Sequence, residues 1–386
     1  MKIERSALMT KFPKAIFGDL KKASKEAATT GHQIIDLSLG SPDLPPDEKI
    51  RQALAHHALA ETSYGYTLGG IQDFNEAVAR YYKRRVEVTL DASTQVLQTM
   101  GSQEGLVHLP LAFCNPGDIV LTTDPGYVAY EAGIHLAQAE PYYMPLRADN
   151  AFLPDLQAIP EDVAQRAKLL ILNLPGNPVP AMPSIRFFDD VIAFAKKYNI
   201  IVLHDAAYSE FYFDETAPVS FLQAAGAIDV GIEINSLSKS FSLAGARIAY
   251  IVGNAEIIAI LQQLKSNLDY GTFEPIQRAA IVALDNAEEI TARLRQTFAA
   301  RHHVLSQGLA ALGWDVVPSK GGMFVYAKYP QQTLNDIEFA YEAIAKIGVV
   351  VVPGSIFGMS GTNYVRIALV QPENVIREAL RRFATL

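Results

Sequence analysis

Six short apolar runs occupy the central half of the chain: Gln95–Thr99, Asp118–Thr122, Lys168–Asn173, Ile200–His204, Gly231–Asn235 and Arg247–Val252. Amphipathic helical stretches alternate with them. Such βα units, repeated, can bury their apolar faces only by building a mostly parallel sheet covered by helices. The clearest unit follows the third run. There Ser184 is placed to cap a helix in which Ile185, Phe188, Val191, Ile192 and Ala195 share a face, and Lys196-Lys197 put cations at its negative end.

At 386 residues the chain is longer than one hydrophobic core usually serves, and its texture changes along its length. From about Ala287 a long charged helical stretch precedes short β-rich pieces around Met323–Tyr326, Gly348–Val352 and Tyr364–Ala368. The start of the chain lacks βα alternation and offers one helix, Lys21–Ala28. These textures divide the chain into an arm that completes a small domain (1–45), a large domain (46–286) and a C-terminal small α+β domain (287–386).

The net charge of −8, without long Lys/Arg runs, argues against an extended nucleic-acid surface. No apolar run reaches the roughly 18 residues of a membrane span, and Met1–Ser6 carries charges of both signs rather than a secretory leader. The single cysteine, Cys114, excludes an internal disulfide framework and fits a reducing compartment. A soluble cytoplasmic protein is therefore expected. His56-His57 and His302-His303 lack the helical spacing of a metal-binding pair, so no metal is expected.

In an open α/β sheet, ligands gather at the carboxyl ends of the strands, and those positions here are unusually polar. Gly101-Ser102-Gln103-Glu104-Gly105 follows the first run; it could present amides and a hydroxyl to a phosphate, or be a plain strand-to-helix turn. Asp124-Pro125-Gly126-Tyr127 and Tyr130 follow the second, and packing readily explains one of the two tyrosines. Pro175-Gly176-Asn177-Pro178 forms a locked turn after the third, with Asn177 as a site residue or merely its cap. Asp205, with Tyr208 three residues on, ends the fourth run, where a buried acid is costly unless it meets a cation or donors. Ser236-Leu237-Ser238-Lys239 ends the fifth, with Arg247 close behind. A lysine partly desolvated near another cation has a destabilised ammonium, as a Schiff-base amine requires.

Taken in order, these segments resemble those of the class I/II pyridoxal-phosphate aminotransferases over nearly the whole chain. Ser236-Leu237-Ser238-Lys239, continuing to Gly245-Ala246-Arg247, is similar to the family's Ser-x-Ser-Lys…Gly-x-Arg segment. Asn173-Leu174-Pro175-Gly176-Asn177-Pro178 and Asp205-Ala206-Ala207-Tyr208 resemble two further motifs, and Leu39-Gly40-Ser41-Pro42-Asp43 and Tyr364-Val365-Arg366-Ile367-Ala368 complete the set. The resemblance implies a three-layer α/β/α fold with a mostly parallel central sheet and a smaller α+β domain. It also implies transamination between an amino acid and a 2-oxo acid.

By that resemblance Lys239 carries pyridoxal 5'-phosphate as a Schiff base and moves the proton. Ser102, Gln103, Ser236, Ser238 and Arg247 would hold the phosphate. Asp205 would pair with the pyridine nitrogen, Asn177 and Tyr208 would hydrogen-bond the phenolic oxygen, and Tyr127 would stack on the ring. Arg366 would take the substrate carboxylate, joined by the Gly40 amide and Asn177. Family members of this type are homodimers in which a partner tyrosine reaches the phosphate. Either Tyr64 or Tyr66 could do so here, with Tyr64 favoured.

Departures from the pattern are Val179-Pro180, Ala206 and Ala246. The segment Leu264–Gly271 also lacks the arginine that aspartate-specific members use. The closest likeness is to the branch containing LL-diaminopimelate-type aminotransferases. A β-eliminating C–S lyase would use the same residues and is the alternative. A non-catalytic regulator ranks lower because no helix-turn-helix module fits ahead of Gly40. A nicotinamide dehydrogenase is disfavoured because no Gly-x-Gly-x-x-Gly follows a predicted strand.

Overall fold

The computed structural model describes residues 1–12, 16–29, 31–330 and 333–386. Its strands are β1 (Ile35–Asp36), β2 (Val96–Thr99), β3 (Ile119–Asp124), β4 (Glu140–Pro145), β5 (Ala167–Leu172), β6 (Ile201–Asp205), β7 (Gly231–Ser236), β8 (Ala249–Gly253), β9 (Asp315–Val316), β10 (Phe324–Lys328), β11 (Val349–Val350), β12 (Val352–Pro353) and β13 (Tyr364–Ala368). Seven of them form one sheet in the order β2-β8-β7-β6-β5-β3-β4. Only β8 runs against the others, antiparallel to both β2 and β7.

The two faces of this sheet follow from the two-residue period of a strand. Leu169 and Ile171 of β5 pack with Leu203, Ile232 and Ile234 against Leu106, Tyr130 and Leu261 from helices Ser102–Phe113, Ala129–Leu136 and Ala255–Lys265. Leu170 and Leu172 face the other way, with Val202 and Val252, against Phe74, Val78 and Tyr82 of helix Gln72–Val86 and Phe188 and Val191 of helix Ile185–Tyr198. Burial on both faces explains why these strands read as unbroken apolar runs. Fully burying each such side chain is worth about 1.5–3 kcal/mol, and truncating Phe188 to alanine would cost about 3–5 kcal/mol. Ser184 caps its helix by accepting from the Phe187 amide at 3.2 Å, and Asn199 closes the helix in the left-handed region at φ 56°.

β4 is the strand that the apolar pattern does not announce. It lies at the sheet edge, pairs parallel with β3, and contains Pro141 and Pro145. An edge strand tolerates proline because the missing amide faces no neighbour.

A second core unites Trp314, Phe324, Phe339, Val365 and Ile376 from the C-terminal part with Leu20 and Leu37 from the N-terminal part. The antiparallel sheet β12-β13-β10-β9 and helices Ala287–Ala311, Asp336–Ile347 and Glu373–Phe383 enclose it. β1 pairs in parallel with β11, so the chain passes residues 37–40 along this second layer before entering the first. Among the described residues no helix is long and apolar enough to cross a membrane.

Candidate active site

Asp205 closes β6, whose preceding residues are apolar except for His204 and are buried from Val202 onward. The acid itself is buried. Its Oδ2 accepts from the Tyr130 hydroxyl at 2.9 Å and its Oδ1 from the Ala207 amide at 3.2 Å. Burial pushes the Asp205 pKa up, against the pull of those two hydrogen bonds and of the His204 and Lys239 charges. Behind it His204 is gripped from both sides, Nδ1 2.9 Å from Glu233 Oε2 and Nε2 2.8 Å from the Leu174 carbonyl. Burial opposes a charged His204, but the hydrogen bond to Glu233 and that residue's charge outweigh it and raise the pKa.

One strand over, β7 ends in Ser236, whose hydroxyl accepts the Ser238 amide at 3.2 Å and starts the short helix Leu237–Ser240. Lys239 projects from that turn, and its Nζ donates to the Gly40 carbonyl. Burial, then Arg366 and Arg247, lower the Lys239 pKa to about 8, while Asp205 pulls the other way. The lowered pKa enlarges the neutral fraction of the amine, which is the form that condenses with a carbonyl.

On the same rim, the turn after β2 is shaped by two backbones in the left-handed region, Gly101 at φ 84° and Arg247 at φ 54°. A Cβ on Gly101 would lie 2.2 Å from Arg247 Nη2, so only glycine lets the guanidinium settle against this turn. Among the described residues the amides of Ser102 and Gln103, at the start of helix Ser102–Phe113, have no acceptor. Two amides without an acceptor beside a guanidinium have the chemistry to receive an anion.

Arg366 comes from β13, in the other layer. Its guanidinium lies 4.4 Å from the Phe324 ring centre and 5.0 Å from that of Phe357. Nη1 donates to Asn177 Oδ1 at 2.8 Å, Nη2 to the Ser38 carbonyl at 2.5 Å, and Nε is buried with no partner among the described residues. Burial lowers the Arg366 pKa to about 10. Asn177 is held in turn by its amide, which donates to Asn173 Oδ1 at 2.8 Å, while Asn173 Nδ2 donates to the Asp205 carbonyl at 2.8 Å. Tyr208 is buried beside these groups; burial raises its pKa, and a hydrogen bond with Asn177 opposes the rise. Tyr127 is also shifted up by burial, and it lies close enough to Asp205, Arg247 and Arg366 to feel their charges.

The tertiary structure therefore gathers Lys239, Asp205, Tyr208, Asn177, Tyr127, Arg247 and Arg366 around one space, with Ser102 and Gln103 on the turn beside Arg247 and Ser236 and Ser238 on the turn that carries Lys239. Gly40 is there too, its carbonyl accepting from Lys239. Tyr64 stands apart from these groups within one chain. It is exposed, its hydroxyl donates to the Ala58 carbonyl at 2.8 Å, and its ring packs on Phe273.

Sequence reasoning missed three contributors. Tyr130 stands in the sequence as the second of two aromatics, one of which packing readily explains, and it carries no role there, yet its hydroxyl donates to Asp205. Asn173 was part of a recognised motif without a role, and Ser38 acts through its carbonyl, which no side-chain pattern can reveal.

The sequence model of the family described as aminotransferase class I and II matches residues 32–383. The chain belongs to that family. As an aminotransferase of this class it is a pyridoxal-phosphate-dependent transaminase. It is 40% identical to the LL-diaminopimelate aminotransferase of Moorella thermoacetica, over 98% of this chain and 97% of the relative. It is also 40% identical to that of Aquifex aeolicus, over 97% of each. Its fold superposes on substrate-bound BacF from Bacillus subtilis with a TM-score of 0.95 at 37% identity, covering 100% of this chain and 98% of that one. A probable N-succinyldiaminopimelate aminotransferase from Thermus thermophilus gives 0.92 at 33% identity, covering 96% and 100%. The aminotransferase thus carries the three-layer fold expected of its sequence, with the mostly parallel sheet at its centre.

Proposed function

We propose that Lys239 is the residue that bonds the cofactor, and that the enzyme transfers the amino group of a diamino dicarboxylic acid of the LL-diaminopimelate type to a 2-oxo acid. The observation carrying the first part is the single amine lowered to about 8 by burial and by Arg366 and Arg247, facing a buried carboxylate. The substrate class is supported by the relatives that are 40% identical.

The residues present fit pyridoxal phosphate. The free amides of Ser102 and Gln103, with Arg247, Ser236 and Ser238, suit its phosphate; Asp205, short of donors, suits a protonated ring nitrogen; and Tyr127 has the face to stack on the ring. When bound, the cofactor supplies an aldehyde that condenses with amines and a ring that accepts the electron pair released at the substrate Cα. The protein's part is to bind, orient and move protons. Arg366 takes the substrate carboxylate with its fork, exchanging the Ser38 carbonyl for a charged partner. Lys239, released from the Gly40 carbonyl, carries the proton from Cα. Asp205 keeps the ring nitrogen protonated, and Tyr130 holds Asp205 in line. Tyr208 and Asn177 present donors to the phenolic oxygen. A cavity of about 300 Å³ bordered by Tyr127, Tyr130, Tyr143 and Phe357 leaves room for a substrate side chain.

The working unit proposed is a cytoplasmic homodimer. Tyr64, Tyr66, Leu68, Leu268 and Tyr270 are all more than half exposed, an apolar surface of the kind a second copy would cover. Of the two tyrosines offered to the partner's phosphate, Tyr64 is already tied to Ala58, whereas Tyr66, 84% exposed, packs at a tilt against Tyr270.

The test is a donor panel with 2-oxoglutarate and pyruvate, the purified protein being loaded with pyridoxal phosphate. Glutamate formed fastest from LL-diaminopimelate is the expected result, and Arg366→Ala should lose roughly 2–4 kcal/mol of kcat/KM with it. Preference for aspartate or an aromatic donor overturns the substrate class. Pyruvate and ammonia from cystathionine, without glutamate from any donor, overturns transfer in favour of elimination.

A further inference from the structure

The turn proposed to receive the phosphate carries a carboxylate where an anion is to bind. Glu104 is the third residue of helix Ser102–Phe113, and its Oε2 accepts the Met100 amide at 2.6 Å, fixing the chain just ahead of Gly101. A negative charge in the first helical turn suits the helix dipole of an empty turn, but it repels a phosphate brought to the same amides.

The opposing charge comes from across the layer. Lys265 is the last residue of helix Ala255–Lys265, and its side chain is 1% exposed. Its Nζ donates to Glu104 Oε1 at 2.9 Å and to Asp269 Oδ1 at 2.7 Å. Lysine is almost never buried so completely unless paired, and the proposed reaction makes no use of this one. His108 Nδ1 lies 3.7 Å from Glu104 Oε1 but adds no second cation, because burial lowers its pKa below the usual histidine value. The same Asp269 oxygen accepts the Gly271 amide at 2.8 Å, and the Tyr270 carbonyl between them accepts the amides of Thr67 and Leu68. One ammonium thus braces the phosphate turn against the loop that carries Tyr64 and Tyr66.

We propose that Lys265 is a charge-compensating positioning residue for the cofactor phosphate: by neutralising Glu104 it lets the turn keep its Met100 cap and still accept an anion. The proposal rests on the reading that the phosphate lies at Ser102 and Gln103. It differs from a purely structural role for the ion cluster in one respect. A structural role predicts the same loss for every ligand, whereas charge compensation predicts a loss confined to ligands carrying the phosphate, and recovery when Glu104 loses its charge.

Cofactor-stripped protein is titrated with pyridoxal phosphate and, separately, with pyridoxal, which lacks the phosphate, following the visible band of the lysine-bound ligand. Lys265→Met should weaken pyridoxal phosphate binding about tenfold or more and leave pyridoxal within about twofold of the parent. The double variant Glu104→Gln/Lys265→Met, whose amide can still accept from Met100, should return to within about threefold of the parent. Glu104→Gln alone, which leaves Lys265 paired with Asp269, should tighten pyridoxal phosphate binding without affecting pyridoxal, and it serves where Lys265→Met does not fold. Equal weakening for both ligands, no recovery in the double variant, or weaker phosphate binding in Glu104→Gln each overturns the role of Lys265. Absence of a visible band from the parent protein is a different failure: it removes Lys239 from its role and this proposal with it.

Discussion

Asp205 and Glu210 are two buried carboxylates five residues apart on one segment, and the fold treats them in opposite ways. Glu210, 1% exposed, accepts from the Tyr81 hydroxyl at 2.5 Å, Arg85 Nε at 2.8 Å, Thr291 Oγ1 at 3.0 Å and Arg295 Nη1 at 3.1 Å. Both guanidiniums also lie over the Tyr212 ring. Asp205 has a phenol and one backbone amide, and burial lifts its pKa. The saturated acid has nothing left to offer a ligand; it joins helix Gln72–Val86 of the first layer to helix Ala287–Ala311 of the second. The under-supplied acid gains from any cation brought to it. Completeness of hydrogen bonding, rather than burial or charge, separates the structural carboxylate from the one proposed to serve the cofactor.

Breaking the active end of this comparison should have the largest effect. Lys239→Ala removes the amine and should cost turnover on the order of 10⁴-fold together with the visible band; a retained band would exclude Lys239. Next, Asp205→Ala should bind cofactor yet turn over about a thousandfold more slowly, whereas Glu210→Ala should instead cost about 3–5 kcal/mol of stability by removing the carboxylate that Tyr81, Arg85, Thr291 and Arg295 share. Urea unfolding and single-turnover rates on both variants decide the matter: if Glu210→Ala unfolds no more easily than the parent, or Asp205→Ala turns over normally, the contrast is lost. Tyr130→Phe sharpens the comparison by taking one of the two donors from Asp205. Its turnover should fall about tenfold, with little change in KM for the donor; an unchanged kcat would make Tyr130 a packing residue after all.

The smallest expected effect is on pH. Because the Lys239 pKa lies near 8 in the cofactor-free protein, the amine is charged below that pH and neutral above it. Capture of pyridoxal phosphate should therefore speed up as pH rises toward 8, by about tenfold per unit well below it, and level off above. Stopped-flow absorbance from pH 6 to 10 measures this, and a midpoint near the ordinary lysine value would show that burial and the neighbouring arginines do not act on this amine.

The positions of Lys239, Asp205 and Arg366 were legible because each sits at the end of an apolar run or in a spaced motif, where a charged residue stands out. Glu210 did not stand out, and Lys265 did so only as part of the Leu264–Gly271 segment, with no role of its own. Both lie outside strand ends, and their importance comes from partners far away in the chain: Thr291 and Arg295 for the first, Glu104 for the second. β4 stayed hidden for a different reason, since its two prolines mimic a loop until the sheet edge gives them a place without amide partners.

The sequence by itself determined the βα alternation, the two-faced central strands and the type of residue at each strand end, because period and polarity are local properties. Only the tertiary structure decided that the first segment meets both cations, the Ser38 carbonyl accepting from Arg366 of the last strand and the Gly40 carbonyl from Lys239. It also decided which buried charges are satisfied and which are left wanting. Those outcomes depend on distance and dielectric between residues hundreds of positions apart, and they arise only once both layers are packed.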